Sequence, residues 1–389
     1  MRQSEKEAFN RRNFITSMAM GSLALMGSRP ISSLRNIIKK SGSFNRIDLL
    51  VYLDSNGQER PVTTLAAWAI KRKQILEGMQ KAMGPLPNLS DLPPLDMEII
   101  ERLKEDNYTR LTINFTVAEN ERLPAYLYVP IRKGRRNRFP AMLALHPTGA
   151  PGKGIVDGQT ESPNRAYAKE LAERGYVVIA PDYPGFGDLK EYDFKTDRYQ
   201  SGTMKSIFDN MRCVDLLAAR EDVDSDRIGV IGHSLGGHGA LFSGAFDTRL
   251  KVIISSCGWT LMDYYNAGEE VTKKFGGALG PWAQERYMPL LRDKYDLDVN
   301  RIPFDFDEVI AALAPRPFFS NSPVNDSNFN VKGVRKGMAE VSEVYDFLGV
   351  KDKLEVRYPN CEHDFPPGVR FEAYRFIDKI LKTSSEKKK

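Results

Sequence analysis

Gly232-His233-Ser234-Leu235-Gly236 follows the apolar run Arg227-Ile228-Gly229-Val230-Ile231 and opens onto Gly236-Gly237-His238-Gly239-Ala240-Leu241-Phe242, a small-residue stretch of helical character. A buried strand that reverses at once into a helix holds the middle residue of the turn at the tip of a strained corner. Glycines two before and two after that residue suit a backbone that passes too close to its neighbours for a Cβ. Such a corner exposes the Ser234 hydroxyl and sets a helix N-terminus beneath it, where developing negative charge is favoured. The pattern in this context predicts a nucleophile; an ordinary glycine turn is the alternative that five residues leave open.

Outward from this turn, the chain from about residue 97 alternates apolar runs with amphipathic stretches. Tyr108 to Ala118 alternates as a half-buried strand, and Leu123 to Val129 pairs with it through a tight connection at Glu119-Asn120-Glu121. Near-continuous apolar runs follow at Ala141 to Leu145, Tyr176 to Ala180, Arg227 to Ile231, Lys251 to Ser255, Pro317 to Ser320 and Leu354 to Tyr358. Helical patterns at Asn164 to Arg174, Thr203 to Arg220 and Val369 to Leu381 lie between and after them. Strands buried on both faces and alternating with helices predict an α/β fold, a mostly parallel twisted sheet with helices on both faces. In such sheets the loops at the C-terminal strand ends build the site. Residues 258–314 separate two strands by far more than a usual connection and carry Trp259, Tyr264, Tyr265, Phe275, Trp282, Tyr287 and Met288. They are expected to form a helical cap insertion.

Before residue 97, Thr64 to Met83 reads as a helix with Leu65, Trp68, Ile75, Leu76 and Met79 on one face, stopped by Gly84-Pro85. Residues 30–96 are thus a helical extension, with a proline-rich strap at its end. Residues 1–29 read as an export signal: Arg11-Arg12 precedes a short apolar run from Phe14 to Gly27, too short to span a bilayer as an ordinary helix. That predicts an exported protein, periplasmic or secreted from a bacterium, without a stable membrane span. Residues 383–389 are a charged tail.

The 389 residues carry a formal net charge of only +5, with no basic stripe away from the ends, which argues against nucleic acid as a partner. Three cysteines, Cys213, Cys257 and Cys361, exclude a disulfide framework, although Cys257 and Cys361 fall at strand ends where a single bridge is conceivable. No metal-ligand spacing, dinucleotide fingerprint or phosphate loop is present, so no cofactor and no metal are expected.

A serine hydroxyl needs a base. His233 and His238 flank Ser234 on its own turn and helix, and His146 ends an earlier strand; elimination leaves His363, on the loop after the last strand. The base needs a carboxylate to hold its tautomer. Asp326, just past the strand at Pro317 to Ser320, is the preferred acid; Glu362 and Asp364 beside the histidine are the alternatives. The oxyanion would be held by the N–H of Leu235 and, because Pro147 has none, by that of Thr148.

Ser…Asp…His in that order on a strand–turn–helix corner resembles the α/β-hydrolase family, over about residues 97–382. The segments Glu173 to Asp182, Pro184-Gly185-Phe186-Gly187 and Val223 to Ile228 fit the same likeness. More narrowly, the chain is similar to secreted dienelactone-hydrolase-like and acetyl-xylan-esterase-like branches. It departs from true dienelactone hydrolases, whose nucleophile is cysteine, and lacks an Arg-Gly-Gln signature found in cephalosporin-C-deacetylating esterases. The resemblance implies a serine-dependent carboxylic ester hydrolase acting through an acyl-enzyme, with acetyl or other short acyl groups on a carbohydrate or small molecule as substrate. A glucuronoyl or methyl-ester esterase and a peptidase of the prolyl-oligopeptidase type are the alternatives. Tyr183 and Phe186 near the mouth, and Trp259 and Tyr287 in the cap, are the candidate substrate contacts.

Overall fold

The apolar runs do become strands, and their neighbours in space are not their neighbours in sequence. The computed structural model describes residues 48–131 and 138–382; residues 1–29, read above as an export signal, and the tail at 383–389 lie outside the described residues. A small hairpin, β1 (Val51–Leu53) and β2 (Glu59–Pro61), precedes helix α1 (Leu65–Met83). Thr64 caps α1 by accepting from the Ala67 N–H, and Gly84 (φ 91°) ends it. Trp68, Ile75 and Met79 are buried as their spacing suggests, whereas Leu65, in the first turn, is 71% exposed.

The main sheet takes β3 (Glu98–Lys104), β4 (Tyr108–Ala118), β5 (Glu121–Pro130) and β6 (Phe139–Leu145), then, after α2 (Tyr167–Glu173), β7 (Val177–Pro181). Next come α3 (Gly202–Ala219), β8 (Val223–His233), α4 (Leu235–Phe246) and β9 (Leu250–Ser256). Three short helices, α5 (Glu269–Lys274), α6 (Leu290–Asp293) and α7 (Phe306–Ala311), occupy the long insertion. The chain closes with β10 (Phe318–Asn321), α8 (Val331–Phe347), β11 (Leu354–Arg357) and α9 (Pro367–Leu381).

The nine strands lie in the order β11-β10-β9-β8-β6-β7-β5-β4-β3. The six from β11 to β7 are parallel, and β5, β4 and β3 continue the sheet by antiparallel pairing. Successive residues serve opposite faces, as a strand's two-residue period requires. Leu143, Val177, Val230, Ile253 and Phe318 pack on the side of α1, α3, α4 and α8. Met142, Val178, Ile231, Ile254 and Phe319 pack on the side of α2 and α9. The chain leaves β6 toward β7 on one side and returns to β8 on the other, so the strand order reverses at β6–β8. A crevice opens beyond the carboxyl ends at that reversal.

Candidate active site

Ser234 sits alone between β8 and α4 with φ 54° and ψ −117°, a left-handed corner for a residue with a side chain. The two glycines around it are demanded by backbone. A Cβ on Gly232 would lie 1.9 Å from the Gly236 carbonyl oxygen, and one on Gly236 would lie 1.9 Å from that of Leu145. The corner is pinned by the Ser234 N–H, which donates to the Ser256 carbonyl at 2.8 Å. Leu235 is the first residue of α4, so its N–H is among those a helix leaves without an intrahelical partner.

Thr148 lies beyond the end of β6, on the other side of the crevice from the β8 corner. Its loop is shaped by buried His146, whose Nε2 accepts from the Tyr183 N–H at 2.9 Å and whose Nδ1 donates to the Pro147 carbonyl at 2.7 Å. The Tyr167 hydroxyl ties the two strand ends together, donating to the Leu145 carbonyl and accepting from the His233 N–H. Ser234, Leu235 and Thr148 all face one cleft of about 190 Å3.

Asp326 follows β10 and His363 follows β11, which places them beside one another. His363 Nδ1 donates to Asp326 Oδ2 at 2.8 Å, and Asp326 Oδ1 accepts from the Asn328 and Phe329 N–H groups at 2.9 and 3.0 Å. The His363 ring packs on Phe329, 5.8 Å between centroids, and edge-on against His233, 4.9 Å away. Phe329 lines the Ser234 cleft, so the His363 ring packs against one of that cleft's walls. Among the described residues no hydrogen bond joins Ser234 Oγ to the ring; such contacts often tighten only when substrate enters. Neither alternative acid, Glu362 or Asp364, has a side-chain hydrogen bond to the ring among the described residues. Asp364 is held by Arg165 (2.6 Å) and Asn164 (2.8 Å), and Arg165 also donates to the His363 carbonyl at 3.2 Å. Asn321 Nδ2 steadies the same loop through the Asp364 carbonyl at 2.8 Å.

The other histidines are kept neutral by burial. His233 is driven well below its ordinary value, chiefly by desolvation with help from the Arg165 charge, and its Nδ1 meets Ser256 Oγ at 2.9 Å. His238 is pushed down to about 3 by desolvation as it packs on Trp282, 4.6 Å away.

The candidate substrate contacts divide. Tyr287 lines the cleft, with its hydroxyl 3.4 Å from Thr148 Oγ1. Tyr183 and Phe186 form a small cluster with Leu235 behind that wall, both largely buried, and the Tyr183 hydroxyl donates to the Arg286 carbonyl at 2.8 Å. Trp259 does not face the cleft: it is 1% exposed and its indole N–H donates to Ser320 Oγ at 2.9 Å. Trp259 leaves the sheet directly after β9 and is swallowed by the core, whereas Trp282 from the same insertion reaches the cleft. Gln284, Asn328 and Phe329 also line it, and nothing local in the sequence marked them.

Cys213, Cys257 and Cys361 are free thiols. Cys257 Sγ donates to the Asp364 carbonyl at 3.3 Å, and burial pushes its thiol well above the usual range. Cys257, Asp326 and His363 bring ligand-capable atoms within 4.8 Å of one another, the one such trio among the described residues. Each of the three is already engaged in a hydrogen bond, Cys257 to the Asp364 carbonyl and His363 to Asp326. A buried lysine holds the neighbouring turn: Lys153 Nζ contacts Asp182 at 2.6 Å and Asp188 at 2.5 Å, so Asp182 stabilises the turn rather than facing the cleft.

A family described as glucuronyl esterase, fungi, matches residues 194–349, which run from before α3 to the end of α8. YtaP of Bacillus subtilis, described only as a hydrolase, is 29% identical over 323 residues, 80% of this chain and 99% of its own length. A 4-O-methyl-glucuronoyl methylesterase of Hypocrea jecorina is 26% identical over 217 residues, covering 50% of this chain and 44% of that one. Among solved structures, a glucuronoyl esterase from Solibacter usitatus superposes with a TM-score of 0.65 at 20% identity, covering 85% of this chain and 96% of that one. The reversed strand order, the serine corner and this superposition show the α/β-hydrolase fold, and carboxylic ester hydrolases are among the proteins the chain is similar to.

Proposed function

We propose that this protein cleaves carboxylic esters carried on carbohydrate, by way of an acyl group on Ser234. The hydroxyl attacks the ester carbonyl while His363 Nε2 takes its proton. Asp326 holds the ring by Nδ1 and stabilises the imidazolium. The N–H groups of Leu235 and Thr148 receive the oxyanion. Collapse expels the alcohol with the proton from His363, and water then repeats the sequence in reverse to free the acid. No bound cation enters any of these steps.

The observation that carries this reading is the lining of the cleft. Aromatic rings (Tyr265, Phe275, Trp282, Tyr287, Phe329) and neutral amides (Gln284, Asn328) surround Ser234, with no Asp, Glu, Lys or Arg among the described residues that line it. Rings suit the apolar faces of sugars, and amides suit their hydroxyls. A peptidase that reads a chain's terminal ammonium would need a carboxylate there, which disfavours that alternative. The glucuronoyl methylesterase relatives favour a uronic-acid ester, whose acyl carbon belongs to the sugar; an acetylated sugar is the second reading. Residues 1–29, as an export signal, suit a polymer substrate outside the cell.

The test is a panel of 4-nitrophenyl acetate, methyl glucuronate and acetylated xylo-oligosaccharides, run beside fluorophosphonate labelling of the wild type and Ser234→Ala. Labelling at Ser234 with turnover of the sugar esters is expected. Turnover of the aryl acetate alone would remove the carbohydrate part, and undiminished turnover by Ser234→Ala would remove the mechanism.

A further inference from the structure

A second cleft, about 480 Å3 and open to solvent, adjoins the first, and Phe275 and Gln284 face both. The Ser234 cleft, at about 190 Å3, is smaller than the roughly 300–1,000 Å3 usual for a ligand site, so by itself it accommodates little beyond the ester-bearing group. The second cleft supplies the missing room, and its walls are of a definite kind.

Phe194 stands on one side, packed edge-on against Tyr192 at 4.9 Å. Arg286 stands beside it, its guanidinium 5.4 Å over the Phe186 ring and its carbonyl fixed by the Tyr183 hydroxyl. Glycines let the chain press these two together: a Cβ on Gly202 would lie 2.2 Å from the Arg286 carbonyl oxygen and 2.8 Å from the Phe194 ring. Arg292, by contrast, is spent on the Ala283 and Phe275 carbonyls at 2.9 and 3.0 Å. Among the described residues no carboxylate pairs with Arg286, although Glu285 and Asp293 share the cleft. It is a planar donor, oriented from behind, with its fork unspent.

We infer that the second cleft binds the glycan chain that bears the ester, with pyranose rings running from the Ser234 cleft past Phe275 and Gln284 onto Phe194 and Arg286. Phe194 takes the apolar face of a ring, and Arg286 donates to paired oxygens on it, hydroxyl or carboxylate. The run of four residues from Gln284 to Tyr287 forms the rim between the clefts, so the ring geometry at one site sets the ester's place at the other. This deepens the proposed function and rests on it for the position of the ester, though not for the binding of the chain.

Two measurements test it in the full-length protein with Phe194→Ala and Arg286→Gln, the latter keeping most of the packing should the former fail to fold. The first is calorimetric binding of xylohexaose and of a glucuronate-substituted xylo-oligosaccharide. The second is the ratio of kcat/KM on an acylated oligosaccharide to that on 4-nitrophenyl acetate. Binding weakened at least tenfold, with a ratio lowered at least tenfold, is expected for each variant. A larger loss for the acid-bearing chain in Arg286→Gln places the guanidinium on a carboxylate, and an equal loss places it on hydroxyls. Unchanged binding and an unchanged ratio in both variants overturn the inference. If the wild type turns over no ester at all, the proposed chemistry fails while the calorimetry still judges the cleft.

Discussion

Asp326→Asn isolates what the acid does, because the structure dictates how the amide must sit. Oδ1 of Asp326 accepts two backbone N–H groups, from Asn328 and Phe329, and Oδ2 accepts from His363 Nδ1. An asparagine at this buried position keeps its oxygen on the two backbone donors, since turning it would leave both unpaired at about 1–3 kcal/mol each. Its NH2 then faces His363 Nδ1, which can accept only if the ring proton moves to Nε2. That tautomer has no lone pair for the Ser234 proton. The expected loss in kcat is about 10⁴, by analogy with the serine-protease substitution of the same kind. At 1.36 kcal/mol per tenfold, this is about 5.4 kcal/mol of barrier. KM and the urea midpoint should move little, because size and backbone bonds are retained. Steady-state hydrolysis of 4-nitrophenyl acetate, with active sites counted by fluorophosphonate titration, measures it. Retention of more than a tenth of wild-type kcat would show that another group orients the ring, and Asp364, now tied to Arg165 and Asn164, would be the next to mutate.

Three further outcomes follow from the geometry. Ser234→Gly should abolish turnover yet raise stability by about 1 kcal/mol, because the corner at φ 54° costs of order 1–3 kcal/mol with a side chain; Ser234→Ala should leave chemical denaturation unchanged. Gly236→Ala should cost more than about 3 kcal/mol and most of the activity, since its Cβ would meet the Leu145 carbonyl at 1.9 Å. Gly239→Ala, whose nearest neighbour is the flexible Leu145 Cδ1 at 3.3 Å, should be tolerated or stabilising. The protein should also lose stability as pH falls from 6.5. His146, His233 and His238 have folded values below their unfolded ones, so the unfolded chain binds more protons there, each site contributing up to about 1.4 kcal/mol per pH unit. Asp209, pushed up to about 6 by burial despite Lys205, opposes one of them between about pH 6 and 4, because its folded form takes the proton first. A urea midpoint at pH 5 equal to that at pH 7.5 would contradict this.

The parts of the fold that were legible are those whose environment repeats along the chain. The inner parallel strands β6 to β10 are buried on both faces, so each carries a near-continuous apolar run, and α1, α3 and α9 carry a stripe at helical spacing; edge strand β11 is only half-buried. Edge strand β3, Glu98–Lys104, was not legible, because with little burial to enforce a pattern its three apolar residues, Ile99, Ile100 and Leu103, follow no two-residue period. The hairpin of β1 and β2 was lost for the same reason, being largely exposed or half-buried.

The site shows the same division. The serine corner is local, and its glycines announce it because two backbone segments there leave no room for a Cβ. His363 emerged by elimination among four histidines, and Asp326 from its place after a strand. Composition and chain order alone therefore determined the sheet, the corner, and the candidates proposed to serve it. Which aromatic lines the cleft was decided only in three dimensions. Trp259 and Trp282 belong to one insertion of short helices without sustained periodicity, and one is locked against Ser320 while the other lines the cleft. Strand order did the rest: β8, β10 and β11 lie on one side of the reversal and β6 on the other. Residues 148, 234, 326 and 363 follow the carboxyl ends of β6, β8, β10 and β11, and parallel strands all end at the same edge of the sheet.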